Sequence, residues 1–281
     1  TPIDLVRRAV TAGSEQAVLV RTSDHGDLLG AHGGLHQKWF NLYDEATRVP
    51  FVIARVGVGA TAPRVVTAPT SHVDIVPTLL SAAGIDVEAV ANTLRGEFSE
   101  VHPLPGRNLM PVVDGAPADE YRAVYLMTRD NMLEGDSGAS GVGRMLKQTT
   151  NPPAPLRIRI PAHTAANFEG LVVRVDEGEA PGGAGHLWKL VRTFDDPSTW
   201  TEPGVRQLAS NGLGGEAYRT NPLDDQWELY DLTSDPTEAR NRWTEEPLNE
   251  LRAVLRMRLK DSRASSVPER NNPWPYASRR S

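Results

Sequence analysis

The apolar positions in the first half of the chain alternate between strand-like runs and one helix-like segment. Residues 16–24, "QAVLVRTSD", form a β-branched and apolar run that stops at polar residues, which is typical of a buried strand leading into a loop. Residues 48–56, "RVPFVIARV", repeat that form, and residues 123–128, "AVYLMT", predict a further strand. Residues 71–84, "SHVDIVPTLLSAAG", place a capping Ser before an acid and end in Gly, which predicts a helix. Because of Pro77, we expect this helix to begin later than residue 71.

The second half of the chain changes to β-rich runs separated by turn signals. These runs are "EGLVVRVDEG" at 169–178, "GHLWKLVRTF" at 185–194 and "QWELYDLTSD" at 226–235. Short strands in succession predict an antiparallel sheet. A last helix over residues 245–262 is predicted to cover this sheet, because its apolar residues share one face. That face consists of Leu248, Leu251, Val254, Leu255 and Leu259.

Segments rich in Pro, Gly and charge separate these predicted elements. Residues 86–122 predict a connection with a short helix at most, and residues 129–166 predict a long loop-like insertion. The chain is therefore divided into four parts. They are an α/β portion with a polar loop at 1–128, the insertion at 129–166, a small antiparallel β subdomain with a C-terminal helix at 167–264, and an extended tail at 265–281.

The composition narrows the function classes. The 281 residues carry a net charge of -6 with 39% hydrophobic residues, which is typical of a soluble globular protein. A nucleic-acid-binding protein would cluster basic residues, and a membrane span needs roughly 20 apolar residues in a row. We therefore expect no nucleic-acid partner and no membrane span, and the sequence leaves a cytoplasmic or exported location open. The absence of Cys means that oxygen and imidazole donors would hold any metal.

The stretch "VRTSDHGDLLGAHGGLHQK" at 20–38 carries the candidate chemistry. Asp24 and His25 follow the first predicted strand, where ligands collect in α/β folds, and a carboxylate beside an imidazole can share a divalent cation. Lys38 could then bind an anionic substrate near that metal. A turn with a capping Asp is the alternative, in which His32 and His36 are ordinary residues of a polar loop. Spacing alone leaves both interpretations open.

Three segments in order resemble the sulfatases, which are members of the alkaline-phosphatase-like superfamily. "TSDHGDLLGAHGGLHQKWFNLYDEATRVPFVI" resembles the family's strand, metal-binding loop and substrate-contacting Lys. "SHVDIVPTLLSAAGI" resembles the helix that follows, and "QWELYDLTSDPTEARNRW" is similar to the C-terminal strand-and-turn motif. The resemblance implies the fold class: the C-terminal part of an alkaline-phosphatase-like α/β/α sandwich, followed by a small antiparallel-sheet-plus-helix subdomain.

The resemblance also implies a role for individual residues of the loop. Asp24 and His25 would be ligands of a divalent metal, with Ca²⁺ the expected ion. Lys38 would bind the sulfate oxygens and stabilise charge on the leaving group. His32 lies between them and is a second catalytic candidate beside Lys38. The ion pairs that support this loop are expected to involve Asp44, Glu45 and Arg48.

The nucleophile of a sulfatase is expected to lie outside this chain. Sulfatases use a formylglycine made from Cys or Ser in a Cys/Ser-x-Pro-x-Arg motif near the N-terminus, and further metal ligands lie in the same half. We expect the chain to lack this motif and to supply two of the about six to eight ligands that Ca²⁺ prefers. The chain is therefore interpreted as the C-terminal half of a sulfatase, inactive alone, with the formylglycine in a complementary N-terminal half.

Two function classes follow from these observations. The first is a sulfuric ester hydrolase acting on a small-molecule or saccharide sulfate ester, with a phosphatase or phosphonate monoester hydrolase of the same superfamily as the nearest alternative. The second is a non-catalytic remnant or interaction domain that retains the fold. A third signal, "GDSG" at 135–138, resembles a serine-protease nucleophile motif but lacks the strand context that such a nucleophile requires.

Overall fold

The computed structural model describes residues 4–5, 8–10, 16–35, 38, 41–57, 59–129, 165, 167–200, 202–210 and 216–267. The strands are β1 (Gln16–Arg21), β2 (Val52–Gly57), β3 (Val124–Arg129), β4 (Asn167–Arg174), β5 (Leu187–Phe194), β6 (Gln207–Ser210), β7 (Glu216–Arg219) and β8 (Gln226–Asp231). The helices are α1 (Ala31–Gly34), α2 (Asp44–Thr47), α3 (Ile75–Ala82), α4 (Val87–Glu97), α5 (Met110–Val113) and α6 (Asn249–Ser266).

Strands β1 and β2 form a two-stranded antiparallel sheet. Gln16 pairs with Gly57, and Arg21 pairs with Val52. The two predicted strands are confirmed, but the prediction that β1 is buried is wrong, because its ends are exposed and its four central residues are only half-buried. An apolar run favours a strand, whereas burial depends on neighbours. In the described part of the chain, β1 has one neighbouring strand.

The segment 71–84 is helical, as its pattern predicts. A 3-10 turn over His72–Asp74 leads into α3, and Ser71 and Asp74 form a reciprocal capping box. Pro77 lies in the first turn of α3, where a backbone N–H has no partner within the helix. The helix therefore begins later than Ser71, as predicted.

Residues 86–122 are more regular than predicted. The structure has an 11-residue helix, α4, in this segment, so the prediction of a short helix at most is wrong. Asp86 caps α4, because its carboxylate accepts the N–H groups of Glu88 at 2.9 Å and Ala89 at 3.2 Å. Helix α4 contains no buried residue. The apolar residues Val90 and Leu94 of this helix are exposed, so they do not mark it as part of a core.

Four antiparallel strands form the C-terminal sheet, in the order β3-β4-β5-β8. Helix α6 packs across this sheet and buries Leu251, Leu255 and Leu259. The predicted sheet and its covering helix are therefore confirmed. The side chains that the sheet and its edges contribute to this core include Leu171, Val173, Trp188, Leu190 and Leu229.

The boundary placed at residue 128 falls within the C-terminal sheet. Strand β3 ends at Arg129, and it pairs with β4 along its whole length. The sheet thus extends into the first part of the chain, while the four-part division stays a prediction. A hairpin of β6 and β7, which no pattern predicted, lies between β5 and β8 in the sequence.

Some predictions concern residues outside the described ones. These include nearly all of the insertion at 129–166, its "GDSG" sequence, and the tail beyond residue 267. Among the helices of the described residues, none combines the length and apolar character needed to cross a membrane.

Candidate functional site

Three polar side chains, those of Asp24, His25 and Lys38, come together after β1 and form what we call the polar corner. Asp24 Oδ1 accepts the N–H of His25 at 2.9 Å and lies 3.3 Å from the hydroxyl of Ser23. The second carboxylate oxygen, Oδ2, lies 3.3 Å from His25 Nε2. The hydrogen bond from the His25 backbone lowers the pKa of Asp24, so this side chain is anionic at neutral pH. A carboxylate oxygen and an imidazole nitrogen are therefore presented side by side.

The tautomer of His25 follows from its neighbours. Nδ1 lies 2.7 Å from the carbonyl oxygen of Gly26, which can only accept a hydrogen bond. In the neutral imidazole this contact places the proton on Nδ1, so that the lone pair of Nε2 lies near Asp24 and Lys38. The ammonium of Lys38 contacts Nε2 directly. The structure thus brings together the three residues to which the sequence assigns metal and sulfate binding.

His32 has different partners from these three residues. Its Nε2 lies 3.0 Å from Glu45 Oε2, and its ring stacks on Tyr43 with ring centroids 3.6 Å apart. Its backbone lies in the left-handed region with a φ of 50°. Among the hydrogen bonds of the described residues, none joins His32 to His25 or Lys38. A catalytic role for His32 therefore stays a prediction, and its contacts favour support of the loop.

Helix α2 carries the ion pairs expected around the loop. Asp44 pairs with Arg48 at 3.6 Å, which confirms these two side chains as ion-pair formers, and Glu45 Oε2 lies 3.0 Å from His32 Nε2. The same helix holds the corner through its backbone, because the Gly26 N–H donates to the carbonyl oxygen of Ala46 at 2.9 Å. A Cβ at Gly26 would lie 1.9 Å from the carbonyl oxygen of Glu45, so only Gly permits this close approach.

A buried ion pair anchors the segment that contacts the end of β1. His72 Nε2 lies 2.8 Å from the hydroxyl oxygen of Thr22, two residues before Asp24. Asp74 is fully buried and accepts hydrogen bonds from both terminal nitrogens of Arg122, each at 2.6 Å. Burial alone would raise the pKa of Asp74, but Arg122 and two backbone N–H groups lower it overall. This segment is therefore tied to the C-terminal sheet beside β3.

The donors at the corner fit one side of a metal site. The 3.3 Å separation of Asp24 Oδ2 and His25 Nε2 is compatible with two adjacent positions around one cation. Within the described ranges, no cluster of three or more acidic or His side chains could hold a metal. Two donors leave most of the about six to eight positions of Ca²⁺ unfilled. The remaining ligands would have to be water, backbone or amide oxygens, or side chains outside the described residues.

The fold and the corner together define a broad class of protein. Ligands of α/β folds collect beyond strand ends, and a carboxylate, an imidazole and an ammonium placed there could bind a divalent cation and an anion. The ammonium of Lys38 is suited to contact the oxygens of an anion such as sulfate or phosphate.

Sequence comparison relates the N-terminal part of the chain to the sulfatases. Residues 3–85 match the sequence model of the sulfatase family. Choline-sulfatase of Rhizobium meliloti is 36% identical over 109 residues, which cover 38% of this chain and 18% of the relative. Delta 4,5-hexuronate-2-O-sulfatase of Bacteroides thetaiotaomicron is 37% identical over 106 residues, covering 34% of this chain and 21% of the relative. The recognition of a sulfatase-like sequence is therefore confirmed over the N-terminal part of the chain.

Solved structures confirm the fold class. The phosphonate monoester hydrolase of Agrobacterium radiobacter has a TM-score of 0.53 at 20% identity, covering all of this chain and 42% of that structure. A 2-O GAG sulfatase has a TM-score of 0.51 at 20% identity, covering 94% of this chain and 40% of that structure. At this identity the likeness establishes the fold alone. The chain spans less than half of these structures and about a fifth of the two curated relatives.

The prediction that the chain lacks the nucleophile motif is wrong as stated. One Ser-x-Pro-x-Arg sequence, "SVPER", occurs at residues 266–270. It follows α6, whereas the resemblance places the motif ahead of β1. Ser266 is the last residue of α6 and lines a cavity of about 320 Å³ together with Ser71 and Arg107, and residues 268–270 lie outside the described ones. Its place in the chain order does not fit the motif of the family.

Sequence reasoning missed the buried charges that support the corner. Lys189 on β5 and Glu238 in the turn after β8 are both buried, and Arg122 pairs with Asp74. One signal was available, because Lys189 is a single cation within the apolar run "LWKLV". A charge at an interior strand position requires a buried partner, although the sequence does not say which one.

Proposed function

We propose that this chain supplies the metal- and anion-binding half of a sulfuric ester hydrolase. The observation that carries the proposal is the convergence of Asp24, His25 and Lys38 after β1, within the segment that matches the sulfatase family. The relatives are named for activity on choline sulfate and on a hexuronate 2-O-sulfate. These names support a small-molecule or saccharide sulfate ester as the substrate class.

Each residue of the corner has a defined task in this proposal. A bound divalent cation, for which we propose Ca²⁺, would supply positive charge to the sulfate oxygens. Asp24 would hold this ion through its carboxylate, and His25 through Nε2, whose orientation the Nδ1 contact with Gly26 fixes. Lys38 would bind a sulfate oxygen and stabilise the charge that develops on the leaving oxygen. His32, through Glu45, would position the loop between them.

We further propose that a complementary N-terminal segment completes the site and supplies the formylglycine nucleophile. Four apolar side chains of the first part, Val52, Val73, Val76 and Leu79, are between 41% and 51% exposed. The β1–β2 sheet has two strands in the described part of the chain, and such sheets are marginal alone. An additional α/β segment would cover these side chains and extend the sheet. The larger size of the structural neighbours supports this arrangement.

Hydrolysis of a phosphonate or phosphate monoester is the second candidate function. It is supported by the structural likeness to a phosphonate monoester hydrolase, which covers the whole chain. The same cation and ammonium would bind phosphonate oxygens, so the corner alone does not separate the two substrates. The sequence match to sulfatases favours the sulfate ester.

Complementation tests this proposal directly. The chain is co-expressed with the part of Rhizobium meliloti choline-sulfatase that precedes the matched region, and hydrolysis of p-nitrophenyl sulfate and of a phenyl phosphonate ester is measured. We expect sulfate ester hydrolysis that requires both segments and is lost with Lys38→Ala. Arg95→Ala, which removes an exposed cation on α4, is the matched control and should retain activity. Preferential phosphonate turnover supports the second candidate, and no turnover with a stable complex supports a non-catalytic domain.

A further inference from the structure

Lys189 is a fully buried cation outside the polar corner. Its Nζ lies 3.0 Å from the carbonyl oxygen of Leu42, 2.5 Å from Asp44 Oδ1 and 2.9 Å from Glu238 Oε1. The first two contacts are hydrogen bonds, whereas the third is an ion pair, in which Glu238 Oε1 has no hydrogen-bond partner among the described residues. Asp44 also pairs with the exposed side chain of Arg48 at 3.6 Å. The cluster of Lys189, Asp44 and Glu238 is therefore a largely buried network that joins β5 to α2.

Glu238 holds the first turn of α2 in a second way. Its Oε2 accepts the backbone N–H of Asp44 at 2.6 Å, and such a group at the start of a helix has no partner within the helix. The backbone of Glu238 lies in the left-handed region with a φ of 51°. A residue other than Gly keeps this conformation only where its surroundings determine it. The contacts with Asp44 and Lys189 provide those surroundings.

Helix α2 then transmits this anchoring to the loop that carries the metal donors. Ala46 accepts the N–H of Gly26 next to His25, and Glu45 holds His32 at 3.0 Å. The stacking of Tyr43 on His32 adds a third contact on the same loop. The cluster and the loop therefore both contact the same short helix, α2.

We propose that Lys189, Asp44 and Glu238 are positioning residues for the loop of residues 24–32. The C-terminal sheet fixes α2 through this cluster, and α2 fixes the loop that presents Asp24 and His25. The consequence for catalysis rests on the proposed function, whereas the positioning of the loop does not. The C-terminal sheet is accordingly a support for the site, although it contributes none of the three residues at the corner.

Hydrogen exchange of backbone amides tests this proposal on the chain itself. The readout is the exchange rate of the Gly26 amide relative to that of the Leu190 amide in the central strand β5. We expect Glu238→Ala to raise this ratio at least about tenfold, because the loop opens without unfolding of the sheet. Glu238→Gln retains an acceptor for the Asp44 N–H, so it should keep the ratio within about twofold of the parent chain.

A destabilised control separates positioning from general loss of stability. Leu255 is fully buried in the core under α6, so Leu255→Ala weakens the whole subdomain. We expect this variant to speed exchange at Leu190 without raising the Gly26 ratio. An unchanged ratio in Glu238→Ala, or an equal increase in Leu255→Ala, would overturn the proposal. The exchange experiment uses no substrate, so it is independent of the proposed function. If complementation gives no sulfate ester hydrolysis while the exchange pattern is as expected, the proposed function is refuted and the positioning role stands.

Discussion

Replacing Arg122 with Met should destabilise the protein strongly, because it leaves the buried carboxylate of Asp74 without its cation. Asp74 is fully buried, and the guanidinium of Arg122 is 7% exposed. The substitution removes two hydrogen bonds of 2.6 Å and keeps an apolar side chain of similar length. The two backbone N–H groups that also bond Asp74 remain, so the carboxylate is left partly satisfied.

The expected loss is about 3–5 kcal/mol at neutral pH, as is usual when one partner of a buried ion pair is removed. Arg107 provides a matched control, since it pairs with Asp119 at 2.7 Å but both side chains are about half exposed. Arg107→Met should therefore cost less than about 1 kcal/mol. The pair is also expected to respond to acid. The lowered pKa of Asp74 stabilises the fold above the ordinary carboxyl pKa, and this contribution is lost as the pH falls through the folded-state pKa.

Equilibrium urea unfolding followed by far-UV circular dichroism measures both variants against the parent chain at neutral and at acid pH. The difference between Arg122→Met and the parent chain should shrink as Asp74 becomes protonated. A loss for Arg122→Met equal to that of Arg107→Met at neutral pH would refute the reasoning, because it would mean that the buried pair contributes no more than an exposed one.

Three further outcomes are expected. Gly26→Ala should lower the free energy of unfolding by about 1–3 kcal/mol, because the added Cβ meets a backbone oxygen of α2. Gly96→Ala is the control and should not lower it, because a Cβ there meets open space. Thermal unfolding of the two variants measures the difference. Lys38→Ala should tighten Ca²⁺ binding to the chain, because the ammonium of Lys38 contacts the His25 Nε2 that would hold the ion and also repels it. Calorimetric titration measures this affinity, and weaker binding by the variant would contradict the expectation. The purified chain should not hydrolyse p-nitrophenyl sulfate, and turnover that is lost with Ser266→Ala would show that the C-terminal "SVPER" sequence is catalytic.

Local patterns predicted much of the fold. The capping Ser and Pro77 predicted the start of α3, the β-rich runs predicted the C-terminal sheet, and the apolar face of α6 predicted the helix that covers it. Strand β1 was predicted from its apolar run, but its exposure was not, because burial depends on neighbouring segments. Helix α4 was missed although Val87, Val90 and Leu94 recur at helical spacing, because the Pro, Gly and charged residues of 86–122 suggested a connection.

The sequence likewise predicted some residues of the candidate site and missed others. Asp24, His25 and Lys38 lie within one short stretch of sequence, so resemblance and spacing could suggest all three together. The residues that support them are far apart in the chain, since Lys189 follows Asp44 by 145 residues and the Asp44 amide is 194 residues from Glu238. A single sequence does not encode such pairings in any local pattern. They follow only from the packing of α2 against the C-terminal sheet.

The most direct test of the account is a Ca²⁺ titration followed by amide chemical shifts. The central claim is that Asp24 and His25 form one side of a cation site. We expect saturable shifts confined to residues 23–26, with weak affinity because two donors are present, and we expect Asp24→Asn to abolish them. Shifts that persist unchanged in Asp24→Asn, or that are absent from the parent chain at saturating Ca²⁺, would contradict the claim.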